Sequence, residues 1–131
     1  MNVPAHATEV TCFHSWIRED GIACTKVKRG SEVTVEYARE NSIAVNTLLK
    51  DKKRPLLIDS RGIKSMTRDA RNQFSTKGRE TQTLAFGIVI GSQVSKVIGN
   101  FFMGINKPAV PTRLFDNEEE AILWLKQFLK E

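Results

Sequence analysis

The stretch LLIDSRGIKSMTRDAR, Leu56 to Arg71, sets the architecture of this chain. With Pro55 before it, PLLID at 55–59 is short, continuously apolar and bounded by breakers. That is the pattern of a central strand buried on both faces. The strand runs into a polar turn and then a helix start, where Thr67 can cap and Asp69 suits the positive end of the helix dipole. A helix of about ten residues should follow, with Ala70 and Phe74 inward. Three hydroxyls (Ser60, Ser65, Thr67) and four cations (Arg61, Lys64, Arg68, Arg71) fall within these sixteen residues. A phosphorylation switch, an anion-binding loop and a well-capped turn would each use that composition.

Downstream, STKGRETQ at 75–82 reads as a polar loop and TLAFGIVIG at 83–91 as a second buried strand. Ser92 caps an expected helix over about 93–105, with Val94, Val97, Ile98, Phe101, Phe102 and Ile105 on its apolar side. So many apolar residues predict that much of its circumference is buried. Gly99 and Gly104 each cost about 1 kcal/mol in a helix interior, which close packing would explain. Asn106-Lys107-Pro108 stops that helix, RLF near 113–115 is a short edge strand, and Asp116 with Glu119 reads as a capping box for a last helix. Ala121, Trp124, Leu125 and Phe128 form its core stripe.

Upstream, a strand over about 9–18 and a second over 22–28 flank Asp20-Gly21, a strong hairpin signal. Thr34 caps a helix over about 34–50, with Val35, Ala38, Val45, Leu48 and Leu49 as its stripe. Buried strands alternating with helices give an α/β fold in the order β-β-α-β-α-β-α-β-α: a mixed sheet of about five strands with about four helices. The 131 residues fit one domain over 1–131, with 1–8 as a loose N-terminal tail. A two-residue turn at 20–21 would place Cys24 opposite Ile17 and Cys12 near Arg29, with the thiols on opposite sides and unable to form a disulfide. His6 and His14 have no partner at metal spacing, so no metal site or cofactor is expected.

Hydrophobic residues are 40 % and charged residues 27 %, the composition of a globular protein. No apolar run reaches the roughly 18 residues of a membrane span and no secretory signal opens the chain, which favours the cytoplasm. The net charge of +5 is unevenly spread. Residues 51–107 carry eleven Lys/Arg against four Asp/Glu, a local +7 that would raise the concentration of anionic partners.

The order of elements resembles the STAS domain, the fold of anti-sigma-factor antagonists, over roughly 9–130. LIDSRGIKSMTRDAR and GSQVSKVIGNFFMGINKPAVPTRLF are similar, more narrowly, to small stand-alone bacterial STAS-like proteins without an assigned activity. The resemblance implies an apolar strand ending in Asp-x-Ser-Gly, then a helix opened by Asp-Ser-Ser-Gly whose second serine is phosphorylated. If Asp59-Ser60-Arg61-Gly62 matches the strand end, Thr67-Arg68-Asp69-Ala70 matches the helix motif and Asp69 holds the phosphoserine position. If the same four residues match the helix motif, Arg61 holds it. Neither register supplies the serine, so the phosphoserine switch is not expected here.

The residues themselves point to the carboxyl ends of the two buried strands, where ligands of open α/β sheets sit. Helix starts at Thr67 and Ser92 offer N–H groups, and Arg61, Lys64, Arg68, Arg71, Ser92, Ser95 and Lys96 surround them, a set that could hold a phosphate or carboxylate. The ordinary alternative is two capped helices with solvated cations. Asn100, Asn106 and Lys107 form a second polar set. No catalytic residue is expected. Asp59 is the carboxylate for a hydrolase, the least favoured reading, and it reads more simply as an acceptor for its own turn. The expectation is a non-enzymatic module docking a protein or a small anionic ligand, with homo-oligomerisation open. The alternative is an anionic-lipid or nucleic-acid surface binder. Nucleic acid is disfavoured, because the aromatics lie in core stripes rather than among the basic residues.

Overall fold

The computed structural model describes residues 2–74, 83–104 and 110–129. The loop 75–82, Ile105, Asn106, Lys107 and the stop at Pro108 lie outside the described residues, as do the side chains of Phe74, Phe101 and Phe102. The first half of the chain forms β1 (Thr8–Glu9), β2 (Phe13–Ile17), β3 (Ala23–Val27), β4 (Glu32–Val33), α1 (Val35–Leu48) and β5 (Arg54–Asp59). The second half forms β6 (Ser65–Met66), α2 (Arg68–Phe74), β7 (Thr83–Val89), α3 (Gln93–Gly104), β8 (Thr112–Phe115) and α4 (Glu118–Lys126).

The main sheet has six strands in the order β1-β2-β3-β5-β7-β8. The first two pairings are antiparallel, and the three from β3 to β8 are parallel. This is the expected mixed α/β sheet with four helices. The sixth strand is the two-residue β1, at the end of the stretch expected as a loose tail. Thr8 and Glu9 pair with Ser15 and His14, while Val3 and Ala7 pack on the core. A separate two-stranded sheet, β4 with β6, was not legible in the sequence because each strand has only two residues.

The hairpin differs from its expectation. Arg18 N–H donates to Ile22 O (2.8 Å) and Gly21 N–H to Arg18 O (3.0 Å). The loop therefore has three residues, with Gly21 at φ +98°, the left-handed position that a hairpin of this length needs. Asp20 favours the longer loop by accepting from Ile22 N–H (3.2 Å) and pairing with Arg18 (3.2 Å). The register moves by one residue, so Trp16 lies opposite Cys24 and Ile17 opposite Ala23. That shift exchanges which residues meet across the pair.

Buried apolar clusters cover both faces of the sheet. On one face α4 lays Ala121 and Leu125 over Trp16, Cys24, Leu57, Ala85, Val89 and Phe115. On the other, Ala38 of α1, Ala70 of α2 and Ile98 of α3 meet Phe13, Val27, Val33 and Ile63. Cys12 belongs to this second core and Cys24 to the first, and both thiols are free. A polar cluster is buried where α1 docks: Ser15 Oγ donates to Thr25 Oγ1 (2.9 Å) and Asn41 Nδ2 donates to the same oxygen (3.2 Å).

Helix ends follow local chemistry. Thr34 caps α1 as expected, accepting from Tyr37 N–H. The cap of α4 is Asn117 rather than Asp116. Its Oδ1 accepts from Glu120 N–H (2.9 Å) and its Nδ2 donates to Glu120 (2.6 Å), because Asn117 has the extended backbone that a cap requires. α3 is not buried around its circumference: Val97 is 61 % exposed, and Val94 and Met103 are also exposed. It packs through the opposite side, where a Cβ on Gly99 would meet Leu114 (3.1 Å) and Ile90 (3.2 Å). Close packing thus accounts for Gly99.

Candidate functional site at the ends of the parallel strands

Strand pairing brings distant polar residues into one row. Glu9 lies opposite His14, His14 opposite Lys26, and Lys26 opposite Asp59. Residues opposite one another share a sheet face, so the row crosses four strands, on the face whose Trp16, Cys24 and Leu57 α4 covers. At its outer end Lys28 holds Glu9 in an ion pair, and His14 Nε2 stands 3.9 Å from the same carboxylate. The Lys28 hydrogen bond and charge hold the Glu9 carboxyl below its usual value.

At its inner end Asp59 is fully buried at the end of β5. Its Oδ1 accepts from Arg61 N–H (3.1 Å) and Arg61 Nε (2.9 Å), and its Oδ2 from Arg61 Nη2 (2.9 Å). Lys26 Nζ lies 3.7 Å from Oδ2. Burial pushes the Asp59 carboxyl up, but the Arg61 hydrogen bonds and the Arg61 and Lys26 charges outweigh burial and hold it below its usual value. Asp59 raises the Arg61 guanidinium in turn, chiefly through its hydrogen bonds.

The Arg61 stem lies across Gly91, just beyond β7: a Cβ there would stand 2.8 Å from Arg61 Cγ and 3.1 Å from Cδ. Ser60, 8 % exposed, donates from Oγ to Val89 O (2.7 Å). One residue thereby ties the ends of the two central strands together.

Both helix starts are capped by their own hydroxyls. Thr67 Oγ1 accepts from Ala70 N–H (3.1 Å). Ser92 Oγ accepts from Ser95 N–H (3.0 Å), and the buried Ser95 Oγ accepts from Gly91 N–H and Ser92 N–H (both 2.9 Å). The turn 60–67 is fixed along its length. Gly30 N–H donates to Gly62 O (2.7 Å), Lys64 N–H and Ser65 N–H to Ser31 O, and Thr67 N–H to Val33 O.

The expected site residues therefore divide. Arg61, Ser92 and Ser95 meet at Gly91. Lys64 is exposed, 3.8 Å from Glu32; Arg71 Nη1 donates to Met66 O (3.4 Å); Arg68, Lys96 and Asn100 are exposed. The sequence reading missed Lys26 and His14. An alternation count along β2 and β3 with the correct hairpin register would have put both on the face of Asp59.

The family described as Domain of unknown function (DUF7793) matches residues 15–129. No curated protein matches the chain. Among solved structures it is similar to an uncharacterised protein of the DUF3478 family with a SpoIIAA-like fold, from Shewanella loihica PV-4. The two are 15 % identical over 90 % of this chain and 97 % of that one, with a TM-score of 0.65. That likeness establishes the fold as SpoIIAA-like, that is, STAS-like. A protein of unknown function from Arthrobacter sp. FB24 is 31 % identical over 85 % of this chain and 90 % of its own, with a TM-score of 0.34.

Proposed function

The chain belongs to the family Domain of unknown function (DUF7793), and from that premise we propose that it is a non-enzymatic STAS-like module that docks a protein at the ends of its parallel strands, without a phosphoserine switch. One observation carries this reading. In the first turn of α2 Thr67 takes the Ala70 N–H, in that of α3 Ser92 takes the Ser95 N–H, and Ser95 Oγ takes the N–H groups of Gly91 and Ser92 just before α3, while Lys64, Arg68 and Lys96 stay exposed beside the same strand ends. A small anion at these helix starts would compete with the hydroxyls for the donors they hold. A protein surface needs only exposed charges and a rigid support.

Two further facts agree. Ser60 is buried and donates to Val89, so it does not present its hydroxyl to a kinase. A general base must reach a substrate proton, whereas Asp59 is fully buried with both oxygens engaged, which disfavours a hydrolase.

The test is capture from an extract of the native cells, with the immobilised wild-type chain beside a Lys64→Ala/Arg68→Ala/Lys96→Ala variant. A docked protein should be retained about tenfold less by the variant, since exposed charge contacts are worth roughly 0.5 kcal/mol each. Equal capture by both overturns the reading. So does calorimetric binding of inorganic phosphate with no protein captured, which favours the small-anion alternative.

A further inference from the structure

We propose that Arg61 and Lys26 together form a receptor for a carboxylate side chain carried on an acidic segment of the docking protein. This rests on the docking reading above and gives the partner a chemistry. Lys26 Nζ and Arg61 Nη2 stand 3.7 Å and 2.9 Å from one buried oxygen, Asp59 Oδ2. Two cations share this one carboxylate, and Glu118 at the start of α4 adds a weaker charge interaction with Arg61. Arg61 turns its Nε–Nη2 edge to Asp59, so the opposite edge of the planar fork faces away. Among the described residues Arg61 Nη1 and Lys26 Nζ donate no hydrogen bond. Both side chains are about a third exposed, 34 % and 28 %. A ligand carboxylate above the two cations would mirror Asp59 below them.

Gly91 sets the height of this receptor. With no Cβ it lets the Arg61 stem lie flat across the end of β7, where a methyl group would stand 2.8 Å from Cγ. The guanidinium is thus fixed before any ligand arrives, so a ligand loses little by ordering it. A segment suits the site better than a free ion. Glu118, at the start of α4, also acts on Arg61, so a lone anion gains little there and must bring further contacts. Lys64, Arg68 and Lys96 are exposed beside these strand ends, and the local +7 of residues 51–107 favours a partner of opposite sign.

Titration of the full chain with a capped oligo-glutamate peptide tests the proposal, read by calorimetry and by the Arg61 Nε–H resonance. The wild type should bind and shift that resonance. Gly91→Ala, which retains every charge but displaces the Arg61 stem, and Arg61→Lys, which retains the charge but loses the fork, should each weaken binding about tenfold. Melting temperatures show whether either variant is unfolded, and Lys26→Gln then decides between them by the same measure. Absence of wild-type binding, unchanged affinity in the variants, or equal affinity for inorganic phosphate overturns the receptor. Should the captured protein be lost by the Lys64/Arg68/Lys96 variant but kept by Gly91→Ala and Arg61→Lys, this inference falls and the docking reading stands.

Discussion

Asp59 shows how one residue governs its surroundings. It is a buried carboxylate, stable there because Arg61 and Lys26 lie against it. Removing one partner of such a group is costlier than removing the pair. Arg61→Ala should therefore cost about 2–3 kcal/mol in urea unfolding at neutral pH, toward the low end because Lys26 remains. The pH dependence follows from the sign of the shift. The folded value of Asp59 is depressed below 3.8, so its stabilisation is complete above the unfolded value and disappears as pH falls through the folded one. The stability advantage of wild type over Asp59→Asn should hold from pH 7 to about 5 and shrink toward pH 3. Denaturant midpoints across that range check it, and a constant difference would contradict it.

At the scale of elements, contacts between strand and helix decide tolerance to change. A Cβ on Gly87 of β7 would stand 3.0 Å from Leu125 Cδ1, and Leu125 is a fully buried residue of α4. Gly87→Val should cost about 1–3 kcal/mol through overpacking, despite the better strand propensity of valine. The cap of α4 separates the two candidate start signals. Asn117→Ala should cost about 1 kcal/mol, and Asp116→Ala less, as read from thermal melts. On the other face Asn41 joins α1 to Ser15 and Thr25. Asn41→Leu takes that amide away and leaves the two hydroxyls to each other, a change of about 1–2 kcal/mol.

Among the described residues apolar clusters cover both faces of the sheet, and each face holds one cysteine. Burial pushes the Cys24 thiol up to about 12, so at neutral pH it carries almost no thiolate. Burial raises Cys12 as well. Labelling by a thiol reagent should therefore follow unfolding, with both cysteines modified at one denaturant midpoint. Two separate midpoints would show that the faces come apart independently. No helix among the described residues is long and apolar enough to cross a membrane.

PLLID, the run at 83–91 and the stripe of α4 were legible because each signal is local. Continuous apolar runs mean burial on both faces, and a helical period means burial on one. The α/β order and the likeness to the STAS fold follow from those segments in sequence. The expectation that the phosphoserine is missing comes from the same resemblance, which puts Asp69 or Arg61 at its position. Tertiary structure alone decided the hairpin register, the exposed side of α3 and the charged row from Glu9 to Arg61. A one-residue change in a turn moves every cross-strand partner, and apolar residues on a helix do not say which of them finds a neighbour. Lys26 and Asp59 are thirty-three positions apart in the chain. They meet because β3 and β5 pair in parallel at that register, and pairing depends on the packing of the whole sheet rather than on either segment.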